Sequence, residues 1–365
     1  MFLSLRELIY AKTRYFMMSF IIVLIAVLVL FVTGLAGGLS TDNGSAVAEL
    51  NSDYIVLQSQ SDNRISSSEL PSATVTAVES ELGNSSSAPL SIWMGSVFKP
   101  GSTGKKQDVT YMGISTFSTI TPNVIEGRIF NESSLHEAVA DISLKEEGYK
   151  LGSKIEDKTT GTVLAIVGFT ENQSYSHSPV LHVNGKTFAA LHPKKQLVIN
   201  AVAVKATQDT ADKLDKNVSG IDVISKKEAL QGIPGFKEEQ GSLQMMIVFL
   251  FVIAAFVLAV FFYVITIQKS NQFGVLKAIG VTSAYLASSV ITQILFLTVS
   301  ALVMAIAITY GLAAILPPSL PFDLQPVQVI FCCILFLGVS LAGSLLSLYR
   351  IMKIDPLSAI GGTAA

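Results

Sequence analysis

The sequence predicts a membrane protein with four transmembrane α-helices, one plus three, and a large extracytoplasmic α+β domain inserted between helices 1 and 2. Three observations predict it. No Asp, Glu, Lys or Arg occurs from Tyr15 to Thr41, from Gly241 to Gln268, from Ala278 to Phe322 or from Leu324 to Tyr349. Each run exceeds the roughly 20 apolar residues that cross about 30 Å of hydrocarbon. Between the first run and the second lies a long polar block, and the charged residues concentrate there: they make up only 14% of the 365 residues, against about 25% in soluble domains. Finally, Lys and Arg flank the runs on one side. Arg6, Lys12 and Arg14 precede the first, Lys269 and Lys277 separate the second from the third, and Arg350 and Lys353 follow the fourth. The positive-inside rule makes that side cytoplasmic, with both termini inside.

The elements follow in order. Residues 1–14 alternate Leu3, Leu5, Leu8 and Ile9 with Arg6, Glu7, Lys12 and Arg14, which suits an amphipathic helix on the inner surface or a charged extension of the first span. The first span is placed at 15–38. It is too long for the apolar core of a cleaved signal peptide. Gly34 and Gly38 sit four apart at its outer end, a spacing that permits close helix approach. They are candidates for a dimer seam or for a flexible exit into the domain at 39–240.

In that domain, turn signals separate short elements. Strands are expected at 54–57, 90–98, 109–114, 162–169, 197–205 and 221–224, and helices at 71–82, 134–149, 208–217 and 225–231. Residues 58–68, 84–88 and 99–107 read as loops. The second span is placed at 241–268, a cytoplasmic segment at 269–281, the third span at 282–316, an outer loop at 317–326, the fourth span at 327–349 and a tail at 350–365. The run 278–322 is read as one span. A turn within it would put Arg350 and Lys353 outside.

Several function classes are excluded. A net charge of −2 gives no nucleic-acid signature. Gly185-Lys186-Thr187 ends like a phosphate-binding loop, but its first glycine position is Val180, and Gly104-Lys105-Lys106 lacks the hydroxyl. His136, His177, His182 and His192 form no metal or catalytic spacing, so no enzyme is expected and no catalytic or metal residue is assigned. Adjacent Cys332 and Cys333 lie in an apolar run as small packing residues.

The segment after the second span, Gly274-Val275-Leu276-Lys277-Ala278-Ile279-Gly280, has apolar Phe273, Leu276 and Ile279 every third residue and a glycine break. It resembles the signature of FtsX-like, MacB-type ABC transporter permeases. Lys353-Ile354-Asp355-Pro356-Leu357 resembles the closing motif of that family. Ile125-Glu126-Gly127-Arg128 resembles its Glu-Gly-Arg strand end, and Leu151–Ile155 with Ala165–Phe169 resembles its paired strands. The start Phe2–Leu8 and the stretch from Gly168 to Val180 are similar to the DevC/HrtB branch, whose HrtB-type members export haem.

The resemblance implies a non-catalytic subunit in a bacterial plasma membrane, without an intrinsic cofactor. Two copies would assemble with two ABC ATPase subunits, which hydrolyse ATP. Phe273, Gly274, Leu276, Lys277, Ile279 and Gly280 would be the coupling residues, with Gln272-Phe273 departing from the usual acidic-aliphatic pair. Work done inside would be delivered outside, by mechanotransmission. Haem as substrate would need soft or aromatic ligands, for which Tyr175, His177, Met245 and Met246 are candidates. Other readings are export of antimicrobial peptides or lipopeptides, and a non-transporting FtsX-like regulator of cell-wall hydrolases.

Overall fold

A computed structural model describes residues 12–82, 86–100, 106–192, 194, 196–317 and 320–352. The closing motif and nearly all of the N-terminal helix expected at 1–14 lie outside the described residues. The chain divides into two compact units. One comprises the two ends of the chain, up to Gly38 and from Gly241; the other is Leu39–Gln240.

Helix α1 (Lys12–Ala48) does not stop at Gly34, Gly37 or Gly38. The inserted unit then follows as β1 (Tyr54–Gln58), α2 (Ser72–Leu82), β2 (Ser87–Phe98), β3 (Gln107–Gly113), β4 (Val124–Gly127), β5 (Glu137–Asp141), β6 (Lys154–Asp157), β7 (Val163–Thr170), β8 (Ser174–Tyr175), β9 (Ser178–Val183), α3 (Gly185–Leu191), β10 (Ala201–Val204), α4 (Gln208–Asn217), β11 (Ile221–Ser225) and α5 (Lys226–Gln231).

The twelve-residue strand β2 serves two lobes. Ser87–Leu90 pairs with β10, extending the antiparallel order β11-β1-β10-β2, and α2 and α4 cover Val56, Val202 and Val204 of that sheet. From Ser91 on, β2 pairs with β3, and its last residues with β6. β3 pairs with β9, β9 with β5, β5 with β7 and β7 with β6. These six strands therefore close into a barrel. Closure removes the free edges that a sheet would otherwise expose. Val109 and Tyr111, Ala138 and Ala140, Leu164 and Ile166, and Leu181 and Val183 alternate along their strands and share one buried cluster with Val97 and Ile155. The period of two places them on one face, the barrel interior.

The helix expected at 134–149 is a correction. Glu137–Asp141 is β5, a buried strand between β7 and β9, followed by a 3-10 turn at Ile142–Lys145. Burial between two partners overrides the helical propensity of its alanines. β8, β9 and α3 were not expected, β4 and β6 fall where the family resemblance alone implied strands, and the strand at 197–205 contracts to Ala201–Val204. The phosphate-loop fragment opens α3, where Asn184 Oδ1 caps Thr187 N at 2.8 Å.

The membrane unit continues with α6 (Phe236–Gln268), α7 (Ser270–Ala278), α8 (Ser283–Ala313) and α9 (Pro326–Met352). With α1, the helices α6, α8 and α9 are the four long and apolar enough to cross a membrane. Helix α8 is unbroken, as expected of one span rather than two. Among the four, α6 is the least buried by its neighbours.

Candidate functional site

The elbow between α6 and α8 is built from α7 and its two flanks. Lys269, with φ −92° and ψ −1°, joins the two ladders: its N–H donates to Ile265 O at 3.0 Å and its carbonyl accepts Phe273 N at 2.9 Å. Gly280 ends the segment at φ +98°, a left-handed conformation that favours glycine. Thr282 then caps α8 by accepting from Tyr285 N. The expected apolar stripe divides. Phe273 and Gly274 are buried in the bundle, Leu276 and Lys277 are half-buried, and Ile279 is 72% exposed. Val275, Ile279 and Tyr285 thus present exposed apolar surface beside an open cleft lined by Leu276, Val281, Thr282 and Tyr285.

Lys269 is the larger surprise. Although it opens the segment expected to be cytoplasmic, it is only 6% exposed. Its Nζ donates to Gln293 Oε1 on α8 at 3.1 Å and stands 5.5 Å from the ring centroid of Tyr15 on α1. Gln293 Nε2 in turn donates to Tyr15 Oη at 2.7 Å. Met18, Phe262, Val290, Ile294 and Leu297 surround this chain of contacts.

A second polar cluster lies within the inserted unit. Ser176 and His177 form the two-residue turn of the β8–β9 hairpin, both left-handed, at φ 50° and 58°. His177 Nδ1 stands 2.8 Å from Asp42 Oδ2 and its Nε2 3.3 Å from Glu239 Oε2. Asn43 Nδ2 also donates to Glu239 Oε2, at 2.7 Å, and Ser176 N to Asn43 O at 2.8 Å. The hairpin therefore ties the end of α1 to the first turn of α6. Further along, Ser174 N donates to Ser45 Oγ at 3.0 Å and Gln173 Nε2 to Glu49 Oε2 at 2.8 Å. Gln173 Oε1 accepts from the buried His182 Nε2 at 3.2 Å, and burial pushes that imidazole down to about 3.

The four haem-ligand candidates are divided between the two units. Tyr175 is fully buried in the core with Ala46, Ile55 and Val180, and burial pushes its phenol up to about 12. As a candidate ligand Tyr175 is therefore enclosed rather than exposed. His177 faces carboxylates with both ring nitrogens. Met245 and Met246 are exposed on α6 in the membrane unit, whereas Tyr175 and His177 belong to the inserted unit. The candidate seam glycines Gly34 and Gly38 have partners within the chain. Gly34 faces the Phe322 ring, Gly38 faces the Pro321 backbone, and Asp323 N donates to Gly34 O at 2.9 Å. The chain's own loop at Pro321–Asp323 makes a close approach that these glycines permit.

Residues 244–356 match the model of the FtsX-like permease C-terminal family. Across the whole chain, a hemin transport system permease protein HrtB of Staphylococcus haemolyticus is 31% identical over 362 residues, covering 99% of each chain. The chain belongs to the FtsX-like family of ABC transporter permeases. A Staphylococcus epidermidis relative bearing the same name is 31% identical at 99% coverage of each chain, and an uncharacterised ABC transporter permease of Mycobacterium tuberculosis is 23% identical, again at 99% of each. Among solved structures, the extracellular domain of the ABC-type transporter YknZ aligns at TM-score 0.35 and 13% identity, covering 48% of this chain and 100% of that one. The periplasmic region of MacB from Actinobacillus actinomycetemcomitans aligns at 0.37 and 14%, covering 50% and 92%.

In this permease the Glu-Gly-Arg motif has a structural explanation. Gly127 has φ +81°, and a Cβ there would meet the Val167 carbonyl. Arg128 forks onto Glu137 at 2.9 and 2.8 Å and holds that carboxyl down at about 2, while Glu126 pairs with Lys145. The expected strand pair at 151–155 and 165–169 is β6 against β7, with Lys154 opposite Ala165.

Sequence reasoning missed Asp42, Asn43, Glu239, Lys269 and Tyr15 as cluster members. For Lys269 a signal existed. It directly abuts a charge-free run, and Gln293 is an amide within another.

Proposed function

We propose that this permease is the membrane subunit of an ATP-driven exporter that works by mechanotransmission and extrudes haem or a similar amphiphile from the bacterial plasma membrane. Both termini are then cytoplasmic, Leu39–Gln240 lies outside, and two permease copies work with two copies of a separate ABC ATPase. The observation that supports this best is the elbow, a short helix with exposed Val275 and Ile279 held between two spans. An ATPase seated there pushes on α6, and that helix is 33 residues without a break, about 50 Å at 1.5 Å per residue. Haem as cargo is supported by the relatives named for hemin transport, at 31% identity. The exposed Met245 and Met246 remain its candidate contacts.

Deletion of the gene tests the reading. Hypersensitivity to hemin is expected, restored by the wild-type gene and not by a Val275→Glu, Ile279→Glu double variant that charges the elbow. Sensitivity to peptide antibiotics alone would move the cargo to the peptide class. A cell-wall defect without either sensitivity would make the protein a regulator of wall hydrolases.

A further inference from the structure

We propose that Lys269 is the positioning residue that carries movement of the elbow to the first and third spans, through Gln293 and Tyr15. The inference rests on the reading of 269–280 as the ATPase-driven elbow. A lysine at the end of a membrane helix ordinarily extends its ammonium toward headgroups and water. This one turns inward, is 6% exposed, and sits among Met18, Phe262, Val290, Ile294 and Leu297. Holding an ammonium in apolar surroundings costs free energy unless it is bonded there, so its position is tied to its partners.

Three features make it a transmitting joint rather than a packing residue. Its backbone belongs to both α6 and α7, through Ile265 O and Phe273 N, so any tilt of α7 moves it. Its side chain leaves that junction for another helix, α8, at 3.1 Å from Gln293 Oε1. Gln293 passes the contact on to Tyr15 of α1 at 2.7 Å, and the ammonium lies over the same tyrosine ring. The elbow thereby reaches three spans through one buried chain of polar contacts. Hydrogen bonds weaken steeply once stretched, and water is scarce as a substitute partner in this apolar setting. A displaced elbow therefore draws Gln293 and Tyr15 along or breaks the chain outright, the two-state behaviour by which packed interiors convert small shifts into larger ones.

Hydrogen exchange on the permease–ATPase complex in lipid nanodiscs, with and without ATP and vanadate, tests this without reference to cargo. In the wild type, nucleotide is expected to change exchange at 270–280 and at 173–178, the hairpin hydrogen-bonded to the far end of α1. In Lys269→Met the change at 270–280 persists, ATP hydrolysis stays within about twofold, and the change at 173–178 shrinks by about fivefold or more, the scale of a typical coupling free energy. Tyr15→Phe, which keeps the ring and deletes only the hydroxyl, is the milder variant and is expected to give a smaller loss of the same kind.

A full response at 173–178 in both variants would overturn the proposal. Hydrolysis and both exchange changes falling together would also overturn it, because Lys269 would then serve only to fold the elbow. A wild-type complex without any nucleotide response at 270–280 would instead sink the elbow reading itself.

Discussion

Two polar clusters tie helices together in this permease, and they work in opposite media. The Lys269–Gln293–Tyr15 chain is enclosed, with all three side chains at 6% exposure or less. The Asp42–His177–Glu239 cluster is half in water, its side chains 39%, 45% and 19% exposed. Formal charge would rank them the other way, since the second contains two carboxylates and an imidazole that donates from both nitrogens when protonated. Medium reverses that ranking. A contact that water and salt can replace is worth about 0–1 kcal/mol, whereas a buried polar group stripped of its partner costs about 1–3 kcal/mol. The enclosed cluster is a fixed joint and the half-exposed one is a releasable tie.

The sharpest way to break this contrast is Gln293→Leu. It removes the acceptor facing Lys269 and the donor facing Tyr15 at once, and a destabilisation of about 2–3 kcal/mol is expected. Thermal unfolding of the purified full-length permease measures it. The loss should be the same at low salt and at about 1 M, because ions screen exposed charges and hardly reach buried ones. A loss that fades with salt would show the joint to be wet.

A buried base within the inserted unit extends the contrast to pH. His182 is held down at about 3 by burial, and its Nδ1 has no hydrogen-bond partner among the described residues. Its ordinary value is about 6.5. The unfolded chain therefore takes up the proton first as pH falls. The stability tied to the neutral ring is complete above about pH 6.5 and declines toward about pH 3, by about 1.4 kcal/mol per pH unit within that window. At about pH 5.5 the expected deficit is thus somewhat over 1 kcal/mol. His182→Gln, which keeps a donor for Gln173, should flatten this part of the acid profile. Superimposable profiles for the two proteins would reject the assignment.

The same physics explains what the sequence revealed and what it concealed. The four spans were legible because excluding charge from about 20 residues is a one-dimensional signal. The elbow was legible because Gly280 and the adjoining lysines punctuate it. Which way each elbow side chain faces was not: Phe273 and Ile279 share the expected stripe, yet one is buried and the other exposed. Glu137–Asp141 was misread because its alanines favour helix locally, while the residues it pairs with lie 28 or more positions away, at Ala165 and His182 among others. His177 looked like an isolated loop histidine because its partners are 135 positions before it and 62 after, at Asp42 and Glu239. Gly34 and Gly38 displayed the right chemistry, close approach, without displaying which chain approaches.

The smallest expected effect is also the one that most directly probes the releasable tie. His177→Asn keeps a residue that tolerates the left-handed conformation, so the hairpin turn itself survives. It shortens the side chain, so the bridge to Asp42 and Glu239 is lost. Global stability should fall by no more than about 1 kcal/mol at low salt and by almost nothing at high salt. The local signature is the Ser176 amide, which donates to Asn43 O. Its hydrogen exchange should quicken by about three- to fivefold in the variant, and salt should produce the same change in the wild type. If Ser176 stays equally protected in both proteins at every salt concentration, the histidine bridge contributes nothing to holding the hairpin against α1 and α6. The backbone contact, with Asn43 bound to Glu239, would then be the tie.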